Sequence, residues 1–122
     1  MAKWHNTPLE EALPVTCYPY DDRVELSEGM VPTVVKPDHK IFNKIDFSKA
    51  PPLFSGYNQI VAKEDGNVLA EYNGDPIIVT GTCGKGKTLA FASDPAPHWG
   101  RGMVDWEGYT QFWLNVVKWL GA

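Results

Sequence analysis

Residues 76–95 read PIIVTGTCGKGKTLAFASDP, and two different folds compete for them. Gly81 to Thr88, GTCGKGKT, fits the phosphate-loop pattern G-x-x-x-x-G-K-[ST]. In such a loop, backbone N–H groups at the start of a helix hold the phosphates and the lysine reaches the outer ones. That chemistry needs a strand before the loop and a helix after it. The strand is present, because Pro76–Thr80 is apolar and β-branched. The helix is not. TLAFASD, from Thr88, alternates or favours extended structure and runs on into Pro95 and Pro97. Gly84 and Gly86 then read as turn residues that need positive φ between two paired strands. No later apolar strand ends in an acidic residue that would help hold magnesium. The stretch is expected to be a β-hairpin, with Lys85, Gly86 and Lys87 in an exposed turn that binds no phosphate.

The same reading extends in both directions. Asp65-Gly66 and Asn73-Gly74 are strong hairpin signals. With YNQIVAK (57–63), VLAEY (68–72), PIIVTG (76–81) and TLAFASD (88–94) they predict a four-stranded antiparallel meander. Downstream, Tyr109, Phe112, Trp113, Val116, Val117 and Leu120 recur at helical spacing and predict one apolar stripe on a long C-terminal helix. Upstream, Thr7 is a helix N-cap, Pro8 suits the first helical position and Glu10 completes a capping box. Pro14 ends that short helix. VTCYPY (15–20), with Pro19 confining it to an edge, RVEL (23–26) and TVVK (33–36) read as strands. PDHKIFNKI (37–45) reads as a helical turn that Asp38-His39 begin, with Ile41 and Ile45 four apart.

A chain of 122 residues supports one domain with one core. Its net charge of -4, with the basic residues scattered, argues against a nucleic-acid partner. Its apolar runs are too short for a membrane span, and MAKWHNTPLEEALP lacks the apolar core of a signal peptide. Cys17 and Cys83 show no metal-type spacing, so reduced thiols and a cytoplasmic location are expected, with no cofactor. Cys17, in a strand, reads as a small buried hydrophobe. Cys83 would need a glycine at position 85 to sit on a nucleophile elbow, and Lys85 stands there.

The chemistry-bearing residues crowd into SDPAPHWGRGMVDWEGY, residues 93–109, between the last strand and the last helix. Loops leaving the carboxyl ends of strands are where α/β proteins build sites. Asp94 and His98 are the candidate catalytic pair, the carboxylate orienting the imidazole for acid–base work. Trp99 and Trp106 are candidate stacking faces for a sugar or other flat ligand, with Arg101 beside them. The plainer alternative gives Asp94 a turn-capping role and His98 a local hydrogen bond. A metal held by Asp94 and His98 together with His5 or His39 has only two neighbouring ligands in its favour, and no metal is expected.

Taken together, NTPLEEALPV, DDRVE, GYN, DPIIVTGTCGKGKTLAFASDPAPHWG and W-x-G-Y-x-x-F-W-x-N-V-V-x-W-L resemble the C-terminal half of the glutamine amidotransferase-like proteins. These are relatives of the trehalose-utilisation (ThuA-like) group in the class I glutamine amidotransferase-like superfamily. ASDPAPHWG is the most specific piece, and the resemblance runs along nearly the whole chain. It implies a bacterial cytoplasmic protein of the carbohydrate-metabolism kind, about twice this length. It also implies a flavodoxin-like α/β fold whose N-terminal half supplies parallel βαβ units. Residues 1–122 would then be a single partial domain. In true class I amidotransferases the cysteine nucleophile lies in that other half, and a His-x-Glu pair follows a late strand. His98 stands in a comparable place, but Gly100 replaces the glutamate and Arg101 supplies no carboxylate. Glutamine hydrolysis by this chain alone is therefore not expected. The expected partners are a sugar-like small molecule and either a second copy or a chain supplying the N-terminal half.

Overall fold

The architecture follows from its tight turns. The computed structural model describes residues 2–122. Asn73 and Gly74 both take positive φ (49° and 82°), as a two-residue I′ turn requires, and they join β6 (Asn67–Tyr72) to β7 (Asp75–Cys83). At the far end of β7, Gly84 with φ 59° begins a second tight turn into β8 (Gly86–Phe91), and Cys83 pairs directly with Gly86. The hairpin reading of the GKGK turn is correct, with one correction. Gly84 alone occupies the left-handed region, while Gly86 and Lys87, both expected in the exposed turn, are already paired strand residues, and Lys87 is half-buried.

The four-stranded antiparallel sheet is present, in the order β3-β6-β7-β8, with β3 at Thr33–Val34. Its first strand is not the predicted 57–63 segment. That segment divides between β4 (Phe54–Asn58), paired with β2 (Arg23–Met30), and β5 (Ile60–Ala62), paired with β1 (Val15–Cys17). Backbone bonds explain the difference. Gln59 N–H donates to the Asp22 carbonyl and Lys63 N–H to the Pro14 carbonyl, which ties both flanks of β5 to the N-terminal region. The Asp65-Gly66 turn does close, through Gly66 N–H to the Lys63 carbonyl, but it leads out of the small ladder instead of pairing β5 with β6.

Along β7, Ile77, Ile78, Val79 and Thr80 are buried in succession. Alternate strand residues point to opposite faces, so consecutive burial means that both faces of β7 are covered. The N-terminal layer comes close at Gly81, where a Cβ would lie 2.6 Å from the Pro14 Cβ. The helix α3 (Tyr109–Gly121) packs on β8 and on the 3-10 turn Lys40–Phe42. Its buried residues are Phe112, Asn115 and Val116. The predicted stripe is corrected here, since Val117 is 66% and Leu120 38% exposed. Asn115 takes the inward position because its amide donates to the carbonyls of Ile41 and Asn43. Two residues along a helix turn through about 200°, so burying Asn115 turns Val117 outward.

The short N-terminal helix α1 (Pro8–Ala12) has the predicted cap, Thr7 Oγ1 accepting from Glu10 N–H. The Glu10 carboxylate reaches past the cap to the N–H groups of Asn6 (3.2 Å) and Cys17 (2.7 Å), so it joins α1 to β1. In the 37–45 segment the capping side chain is His39, whose Nδ1 accepts from Ile41 N–H. Lys87, the lysine of the phosphate-loop pattern, donates to the carbonyls of Trp119 (3.3 Å) and Ala122 (3.0 Å) and lies over the Trp119 ring. It neutralises the negative end of α3. No helix among the described residues is long and apolar enough to cross a membrane.

Candidate functional site

Where β8 ends, backbone and side-chain bonds fasten the chain before it turns away from the sheet. Ala92 N–H donates to the Ile77 carbonyl, and Ser93 Oγ donates to the Gly56 carbonyl at 2.6 Å. Residues 94–100 then fold back on themselves. A Cβ on Gly100 would lie 1.8 Å from the Asp94 carbonyl oxygen, so only glycine permits this closure. The short helix α2 (Arg101–Val104) follows, and its Gly102 lies against the Leu53 carbonyl.

This closure sets His98 Nδ1 at 2.6 Å from Asp94 Oδ2. A carboxylate only accepts, so Nδ1 carries the hydrogen and the neutral imidazole keeps its free lone pair on Nε2. The imidazole remains accessible, with its side chain 66% exposed. Trp99 lies beneath, only 5% exposed, with its ring stacked on the His98 ring at 5.1 Å. Three contacts hold Trp99. Its indole N–H donates to Glu25 Oε2 at 3.0 Å, its carbonyl accepts from Ser55 N–H, and its backbone N–H points to Asp94 Oδ2 at 3.4 Å. Gly56 forms the floor, where a Cβ would lie 2.5 Å from the indole nitrogen.

The structure brings Asp94, His98 and Trp99 together. It sets Trp106 elsewhere, with its ring against Phe47 (5.1 Å) and Phe112 (6.3 Å) at the edge of the core. Arg101 opens α2 as an exposed side chain. The other histidines are committed to different partners. His5 Nδ1 is 2.8 Å from the Cys17 carbonyl, and His39 meets Trp119 edge-on. Among the described residues no three His, Cys, Asp or Glu side chains gather as metal ligands. Cys17 is buried in β1, and burial pushes its thiol up from the ordinary value. Cys83 is exposed at the β7–β8 turn. A strand of six residues such as β8 spans about 20 Å, so Cys83 stands far from the loop at the other end.

Glu25, Ser93 and Gly56 support the loop and were not singled out in the sequence. Glu25 is 74 residues from Trp99, and no local spacing links them. Gly56, in the quoted GYN, was the available signal, since a glycine within a strand marks a close approach by another group.

Solved structures that share this fold include two proteins from Salmonella typhimurium. One is "Cytoplasmic Protein STM3548 from Salmonella typhimurium", 40% identical with a TM-score of 0.88. The other is "Cytoplasmic Protein STM1381 from Salmonella typhimurium LT2", 43% identical with a TM-score of 0.87. Each likeness covers 97% of this chain and 47% of the other, so the chain spans about half the length of these relatives. No curated protein matches the sequence. The sequence model of one family, described as "Putative glutamine amidotransferase" (GATase1_like), matches residues 1–122. The mixed α/β fold, with its mostly antiparallel strands and few short helices, agrees with that match, and the chain belongs to this glutamine amidotransferase-like family.

Proposed function

We propose that this chain is the C-terminal half of a ThuA-like, cytoplasmic member of the family, and that it binds a sugar-like small molecule at the 94–99 loop without hydrolysing glutamine on its own. The observation that carries the reading is the exposed His98 imidazole held by Asp94 on the buried Trp99 ring. With Nδ1 fixed by the carboxylate, Nε2 is free to accept from, or deprotonate, a ligand hydroxyl. Glutaminase chemistry needs a cysteine nucleophile beside such a base, and both cysteines lie elsewhere. Ligand-observed NMR with a panel of neutral mono- and disaccharides tests the proposal. Saturable binding that Asp94→Asn weakens at least about tenfold is expected, together with no ammonia release from glutamine. Ammonia release by the isolated chain, or no sugar binding, would contradict it.

A second reading rests on the half-length match to the two solved relatives. In it, the chain is part of a carbohydrate-metabolism enzyme whose site is completed by a second copy or by a chain supplying the other half. Leu114, Val117 and Leu120 on the outer side of α3 are the surface such a partner would cover.

A further inference from the structure

A wide cleft lies away from His98, between the 37–44 segment and α3, and has a volume of about 730 Å³. Its lining departs from the chain's overall character. The sequence has 15 acidic and 11 Lys and Arg residues, whereas the cleft is lined by four lysines and one aspartate. Lys40 and Lys44 come from the 37–44 segment, Lys87 from β8 and Lys118 from α3, so three separate elements bring the charges together. Asp38 is the one acidic side chain in the lining.

We propose that this cleft binds a small polyanion, one bearing two or more phosphoryl or carboxylate charges. Lys40, Lys44 and Lys118 are the charges available to it, because Lys87 already bonds the Trp119 and Ala122 carbonyls. By neutralising the end of α3, Lys87 removes the negative potential that would otherwise oppose an anion there. Lys44 adopts φ 62°, a conformation that few residues other than glycine and asparagine hold readily, at a position that puts it on the cleft wall. The His39 imidazole, also on the cleft wall, is held below its ordinary value, first by burial and then by the charges of Lys36 and Lys40. The volume suits a small molecule. Recognition would rest on ammonium groups as point charges.

The test titrates the chain with inorganic pyrophosphate and separately with citrate, with chloride holding the ionic strength constant. Binding is followed by amide shifts and melting temperature. Saturable shifts around Lys44 and Trp119 are expected with at least one probe, and the probe that binds identifies phosphoryl or carboxylate recognition. Lys44→Asn combined with Lys118→Gln should weaken binding at least about tenfold, asparagine being chosen because it tolerates positive φ. Lys85→Ala, a lysine outside the cleft, should leave binding unchanged. No saturation by about 10 mM of either probe, or an equal loss in Lys85→Ala, would overturn the proposal.

Discussion

His98 is oriented by two neighbours with different roles. Asp94 determines which ring nitrogen carries the hydrogen, and the Trp99 indole determines where the ring lies. Trp99 in turn depends on Gly56, because any side chain there meets the indole nitrogen at 2.5 Å and the Val24 carbonyl at 2.8 Å. Gly56→Ala is therefore expected to destabilise the fold by about 1–3 kcal/mol, the usual range for overpacking a filled site. It should also shift the His98 ring resonances, since the platform must move. Chemical denaturation and a histidine-selective NMR spectrum would check both, and an unchanged stability with unchanged resonances would show that Trp99 does not rest on that floor.

At the scale of elements, Glu10 links α1 to β1 through the N–H groups of Asn6 and Cys17. The Cys17 bond is the main reason its carboxyl is held below the ordinary value of 4.5. A depressed folded-state value means the stabilisation is complete above the unfolded value near 4.5 and is lost as pH falls through the folded one. Glu10→Gln should lower the melting temperature at pH 7, with the difference from wild type shrinking below pH 4. A difference that stays constant down to pH 3 would contradict the linkage. The cap itself was legible, because Thr7, Pro8 and Glu10 act within four residues. So were the two tight turns of the main sheet, each set by the φ demands of its own residues. The partner of β5 was not legible. Asp65-Gly66 predicts a turn, but the pairing depends on Pro14 and Asp22 carbonyls far away in sequence. The loop shows the same division. Asp94 and His98 are four apart and could be paired by inspection, whereas Glu25 is reached only through the fold. On α3 the periodicity located the helix, and the buried Asn115 amide decided which side faces in.

For the molecule as a whole, the buried residues of the sheets and helices form one cluster, while Leu114, Val117 and Leu120 leave an apolar stripe on α3 exposed to solvent. A partner on that face would explain it, so sedimentation is expected to show concentration-dependent association that Val117→Glu reduces. A monomer at all concentrations, with no binding of an exposed-surface dye, would contradict this. The central claim concerns His98, and the most direct measurement compares stability with sugar binding in His98→Ala. The side chain is mostly exposed, so its removal should cost less than about 1 kcal/mol, including its bond to Asp94. The account predicts a melting temperature within about 4 °C of wild type and loss of the sugar binding proposed for the wild type. A large fall in melting temperature with binding retained would make His98 a structural residue and contradict the account.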